Sequence, residues 1–178
     1  MIDKSKVKEL MLQLKDYSLE TYHHSIETAK IAVIIAEQFG YTEEQLEMLY
    51  YGAMLHDVGK MKIDKSILHS KNKLSDEEFA EIKKHSQYSY EMLKDFPEEV
   101  REIAYHHHEK LNGKGYPNGL TENELSEFDK IVAVADITSA LNTKRAYKEQ
   151  FSAEKITSIL NSCVENGELV EKYDIYLN

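Results

Sequence analysis

The chain has 178 residues and a formal charge of -10. That length suits one domain with a sizeable core, and that charge, with no Lys/Arg block to offset it, disfavours polymeric nucleic acid as a partner. No apolar run approaches the ~18 residues of a membrane span, the start Met1-Ile2-Asp3-Lys4 is unlike a secretory signal, and Cys163 stands alone, so no internal disulfide can form. A cytoplasmic protein without membrane contact is expected, organised as a single domain over 1–178, with its core at about 15–165 and short N- and C-terminal helices packed on it.

Punctuation along the chain predicts helices almost throughout. Ser5 can cap a first helix ending near Tyr17, and a longer one runs from about Leu19 to Phe39 and stops at Gly40. Thr42 with Gln45 has capping-box spacing, followed by Leu46, Leu49, Tyr50, Ala53, Met54 and Val58 at helical intervals. His56-Asp57 falls at the end of that helix. Ser75 with Glu78 repeats the capping-box spacing and opens a helix carrying His85. Pro97 suits a first turn and leads to His107-His108, and three of the seven glycines gather in a loop between Gly113 and Gly119. Ser126 with Asp129 starts the helix that delivers Asp136. Ser152 caps a later helix through Val164, and Gly167 precedes a short last one.

His24, His56, Asp57, His85, His107, His108 and Asp136 are nitrogen and oxygen donors with no thiolate among them, which suits a hydrolytic metal site rather than a structural zinc finger. A helix offers one or two inward side chains at a given level, so such a cage recruits from several packed helices. Adjacent donors point about 100° apart on a helix and so are expected to bind ions on either side of the pair. The pairs His56-Asp57 and His107-His108 therefore favour a two-metal centre, with the two carboxylate oxygens of Asp57 able to bridge. Glu20, four residues before His24 on the same helical face, could supply a further ligand.

The run His56-Asp57-Val58-Gly59-Lys60 resembles the signature of the HD phosphohydrolases. The run from His107 through Gly115-Tyr116-Pro117 resembles that of their HD-GYP subgroup. His24-Ser25, Lys84-His85, Ala135-Asp136 and Arg145 to Lys148 extend the likeness over most of the chain in the right order. The resemblance implies an all-α fold, a compact multi-helix HD-domain bundle with a Gly-Tyr-Pro loop, that hydrolyses cyclic di-GMP with iron or manganese. It places metal ligands at His24, His56, Asp57, His85, His107, His108 and Asp136, and at Glu20 in members with a third ion. The chain departs from the subgroup at Asn112 and Ser139, where Asp is usual, and has Arg145-Ala146-Tyr147 in place of Arg-Pro-Tyr.

The chemistry expected of such a centre is in-line attack on phosphorus by a water activated between two cations about 3.5 to 4 Å apart. Asp57 and Lys60 are the expected catalytic residues. Lys60, three residues beyond Asp57, can hold a phosphate oxygen; Arg145 and Lys148 can grip the second phosphate; and Tyr116 can line the mouth of the pocket or contact a signalling partner. Two other functions fit the same residues: another HD-type hydrolase acting on a nucleotide or phosphomonoester, or a metal-bound scaffold that turns over little. His23, His69 and His106 are not expected among the ligands.

Overall fold

The structure is a computed structural model, and it describes residues 2–142 and 151–173. Among the described residues there are helices and no strands, apart from one isolated antiparallel bridge between Asn112 and Thr121. The elements are α1 (Lys4–Tyr17), α2 (Leu19–Glu37), α3 (Glu43–Leu55), α4 (Lys65–Leu68), α5 (Asp76–Lys83), α6 (His85–Met92), α7 (Glu98–His106), α8 (Glu127–Asn142) and α9 (Ala153–Glu165), with short 3-10 turns at Val58–Lys62 and Glu171–Tyr173.

The expected capping boxes are present at Thr42/Gln45 and Ser75/Glu78, with side chain and backbone bonded reciprocally in each. Ser126 and Asp129 exchange the same pair of bonds at 3.1 and 2.9 Å, and the Ser152 hydroxyl accepts from the Lys155 N–H. Two local expectations are corrected. Asp3, not Ser5, caps α1, because its carboxylate reaches the N–H groups of both Ser5 and Lys6. The helix opened by Ser75 stops at Lys83, and His85 begins a new one. The new axis is pinned by Ser89, whose hydroxyl accepts from the Gly59 N–H at 2.8 Å and donates to the His56 carbonyl at 2.7 Å.

α2 packs against α3 and α8, α3 against α7, and α6 against both α7 and the turn Val58–Lys62. The apolar interior forms two clusters. One holds Ile35, Ala53, Ile103 and Ala135, and the other Leu14, Leu55, Val58 and Ala104. Their members flank the candidate ligands in sequence: Leu55 and Val58 bracket His56-Asp57, and Ala135 precedes Asp136. Burying this surface holds the candidate ligands in place.

Candidate metal centre

The candidate ligands come from α2, the end of α3, the start of α6, the end of α7 and the middle of α8. His56, Asp57, His85 and His107 are all buried, each 2% exposed or less. Two groups of donors have their ligand atoms within 4.8 Å of one another: His85, His107 and His108 in one, and His24, His56 and Asp57 in the other. Each adjacent pair thus falls inside one group, where ideal helix geometry had suggested that it straddles two ions. The reason is local. His56 and His107 are the C-caps of α3 and α7, and Asp57 has already left helical geometry at φ -103° and ψ 7°, so the 100° step does not apply.

Asp57 lies between the groups. Its Oδ1 is 3.3 Å from His85 Nε2 and 3.8 Å from His107 Nε2, while its Oδ2 is 3.3 Å from His56 Nε2 and 3.9 Å from His24 Nε2. Asp136 spans in the same way, with Oδ1 2.7 Å from His24 Nε2 and Oδ2 3.9 Å from His108 Nδ1. Lys60 Nζ meets Asp57 Oδ2 at 2.6 Å.

The tautomers follow from the outer partners. His56, His85 and His107 each donate Nδ1–H to the carbonyl three residues upstream, on Ala53, Ile82 and Ala104, at 2.6, 2.6 and 2.9 Å. Their Nε2 atoms therefore all face the site, and those of His85 and His107 present lone pairs 3.1 Å apart. Among histidines that are not joined by a proton, such a convergence of lone pairs is the environment a cation requires. His56 Nε2 and Asp57 Oδ1 are buried without a hydrogen-bond partner, as donors reserved for an ion would be. The donor set and its orphaned atoms fit divalent cations.

Charge is distributed unevenly. Burial pushes the imidazole of His85 down to about 3 and that of His108 to about 4, and holds His107 well below its ordinary range, so this group is neutral. Burial opposes ionisation of Asp57 and Asp136 as well. Lys60 and His56 nevertheless hold Asp57 well below the carboxylate range, and the hydrogen bond from His24 together with the nearby His56 imidazole does the same for Asp136. Against its own burial, His56 is raised to about 10 by the Asp57 and Asp136 carboxylates. A cation arriving beside His56 therefore replaces a proton.

A cavity of about 340 Å3 opens onto these residues and is lined by Glu20, His24, Lys60, His69, His108 and Asp136 among others. Glu20 is exposed at this cavity and belongs to neither donor group. His69 shares the wall without joining either group, and sequence periodicity carried no signal that its loop folds back here. His106 turns away from the centre and faces Asp129 at 3.5 Å. Arg145 and Lys148 lie outside the described residues.

The Gly-Tyr-Pro loop is held by a residue to which sequence reasoning gave no role. The carboxylate of Glu109, 3% exposed, accepts from the N–H groups of Asn118, Gly119 and Leu120 at 2.6, 3.1 and 3.0 Å. Gly115 passes so close that a Cβ would sit 2.4 Å from Glu109 Cα. This brings the Tyr116 ring to 4.7 Å from that of His108, beside the candidate centre. Asn112 shapes the same loop, accepting from the Lys114 N–H and donating to the Asn166 carbonyl, both at 3.0 Å. Glu109→Ala is expected to lose about 2 kcal/mol of loop stabilisation, as charge-assisted bonds to three amides disappear. Hydrogen exchange checks this: the amides of residues 118–120 should lose protection while those of α2 and α8 keep it, and unchanged protection in the loop would show that the carboxylate holds nothing.

The helices gather histidines and aspartates around a buried His-Asp pair, and comparison with known proteins identifies the family. The HD domain profile matches residues 6–174, and the chain belongs to the HD domain family. It is 37% identical over 157 residues to the 3'3'-cGAMP-specific phosphodiesterase 2 of Vibrio cholerae, covering 84% of this chain and 30% of that protein. It is 35% identical over 148 residues to the cyclic di-GMP phosphodiesterase of Thermotoga maritima, covering 80% and 40%. The chain thus spans about a third of the length of the curated relatives it matches. Among solved structures, an HDG"Y"P protein from Bdellovibrio bacteriovorus superposes with a TM-score of 0.68 at 25% identity, over 88% of this chain and 50% of that one. These likenesses agree with the HD-GYP resemblance of the sequence.

Proposed function

We propose that this chain is a metal-dependent phosphodiesterase that hydrolyses a cyclic dinucleotide, cyclic di-GMP foremost, to the linear dinucleotide or GMP. The observation that carries this is Asp57, whose two oxygens face separate groups of imidazole donors. Relatives named as phosphodiesterases of cyclic di-GMP and of 3'3'-cGAMP supply the substrate class. His85, His107 and His108 would hold one ion, His24 and His56 another, with Asp57 between them and Asp136 beside both; Glu20 would contribute to a third. Iron or manganese is proposed on the HD-GYP resemblance, since imidazole and carboxylate donors admit either. Divalent ions bound here would lower the pKa of water and offset charge on the phosphodiester.

The remaining work falls to the chain itself. Lys60, 20% exposed in its side chain and lining the cavity, can turn from Asp57 to a phosphate oxygen of the substrate. Tyr116 offers its ring beside the donor groups to a nucleobase or sugar, and Arg145 and Lys148 are proposed to hold the second phosphate. The acidic composition does not oppose such a ligand, because the positive charge needed is concentrated at the centre itself. The aim of the test is turnover as well as selectivity. Protein purified without oxygen and loaded with manganese or ferrous iron is offered cyclic di-GMP, 3'3'-cGAMP, cyclic di-AMP and a simple nucleotide monoester, with products separated by chromatography. Cleavage of a cyclic dinucleotide with monoester turnover at least about tenfold lower supports the proposal. Preferential monoester hydrolysis would identify another HD-type hydrolase, and metal binding with no turnover on any substrate would identify a scaffold.

A further inference from the structure

The histidines of the centre are oriented by two different devices. His56, His85 and His107 stand at helix ends, as the C-cap of α3, the first residue of α6 and the C-cap of α7. There the chain bends enough for Nδ1–H to reach the carbonyl three residues back, a partner that no side-chain substitution removes. His24 lies inside the long helix α2, where the upstream carbonyls are engaged in the helical ladder. Its ring must find a partner on another element. That partner is Ser139 on α8, with His24 Nδ1 3.0 Å from Ser139 Oγ. Ser139 is fully buried, and its hydroxyl also lies 3.4 Å from the His24 carbonyl, so it can accept from the ring and donate to the backbone of the same residue.

We propose that Ser139 is a positioning residue that fixes the His24 tautomer and thereby makes the two donor groups unequal in their hold on an ion. This inference rests on the metal-centre reading above. In this structure His24 Nε2–H donates to Asp136 Oδ1 at 2.7 Å, with Asp57 Oδ2 at 3.9 Å; with Nδ1–H directed at Ser139, an ion bound there would stand in place of that Nε2 proton. Without the hydroxyl, Nδ1–H loses the partner that supports binding of an ion through Nε2, and the Nε2–H bond to Asp136 keeps that position closed to a cation. The group of His24, His56 and Asp57 depends on a side chain carried by a neighbouring helix, whereas His85 and His107 depend only on their own backbone. Ser139 sits one turn beyond Asp136 on α8, so the same helix supplies a donor to the site and the orienting contact behind it.

The test loads the full chain with zinc, chosen because it leaves the imidazole nitrogens visible by NMR, and measures affinity by chelator competition. Wild type is expected to bind at least two ions. In Ser139→Ala one of them should be held about 10- to 100-fold more weakly, the usual consequence of losing an outer partner, while the other keeps its affinity. The nitrogen spectrum of the zinc-loaded protein should show His24 bound through Nε2 with Nδ1 protonated in wild type, and that signal should weaken in the variant. The control is Thr138→Val, which removes a neighbouring buried hydroxyl that has no hydrogen-bond partner and should alter neither affinity. Equal affinities in wild type and Ser139→Ala would overturn the proposal, as would equal loosening of both ions with a lowered melting temperature, or the same loss in Thr138→Val. A wild type that binds no zinc, manganese or iron would instead overturn the metal centre, and the role of Ser139 with it.

Discussion

Replacing Asp57 with alanine is expected to abolish hydrolysis and strip metal from the protein together. The carboxylate presents one oxygen to His85 and His107 and the other to His24 and His56. Removing it leaves two dications with less negative charge between them, and their mutual repulsion in a buried site rises steeply as the screening carboxylate disappears. It also leaves Lys60, whose ammonium now pairs with Asp57 at 2.6 Å, as a third positive charge without its partner. Turnover should fall at least about a thousandfold, roughly 4 kcal/mol of transition-state stabilisation. Elemental analysis provides the check, since bound metal should drop below one ion per chain. Asp57→Asn keeps the shape but not the charge and should fail in the same direction. Unchanged metal content in either variant would remove Asp57 from its bridging position.

Gly59→Ala is expected to be the most damaging small substitution outside the ligands. A Cβ there would lie 2.1 Å from the His85 carbonyl oxygen and 2.4 Å from the Ser89 nitrogen, both backbone atoms that cannot rotate aside. The turn Val58–Lys62 and α6 would have to separate, breaking the bonds through which Ser89 ties Gly59 to His56. Overpacking of this kind costs about 3 kcal/mol, which for a chain of this size lowers the melting temperature by roughly 6 to 12 °C. Because His85 and Asp57 ride on the two separating elements, metal content should fall as well. Thermal unfolding followed by circular dichroism measures the first effect, and a melting temperature within a degree or two of wild type would show that the two backbones do not need their close approach.

Much of this molecule was legible in its sequence because the governing interactions are local. Thr42 with Gln45 and Ser75 with Glu78 cap their helices through bonds spanning three residues, and such bonds leave a spacing that can be read directly. The donor types were equally plain, since imidazoles and carboxylates without thiolates restrict the chemistry before any geometry is known. Where the chain met a longer-range demand, spacing misled. The break before His85 arises from Ser89 reaching back to His56 and Gly59, contacts 33 and 30 residues apart, and no local pattern marks it. The grouping of His107 with His108 around one position depends on the chain leaving the helix at that point, which an ideal 100° step cannot anticipate.

The sequence by itself determined the helical class, most of the caps and the identity of the candidate donors, because each is written in neighbouring residues and in the chemistry of single side chains. Only the tertiary structure decided how those donors divide into two groups, that Glu109 anchors the loop bearing Tyr116, and that Ser139 stands behind His24. The physical reason is distance along the chain. His24 and Ser139 are 115 residues apart and meet only because α2 and α8 bury their apolar faces against each other, so the hydrogen bond that orients the ring is set by the packing of two helices.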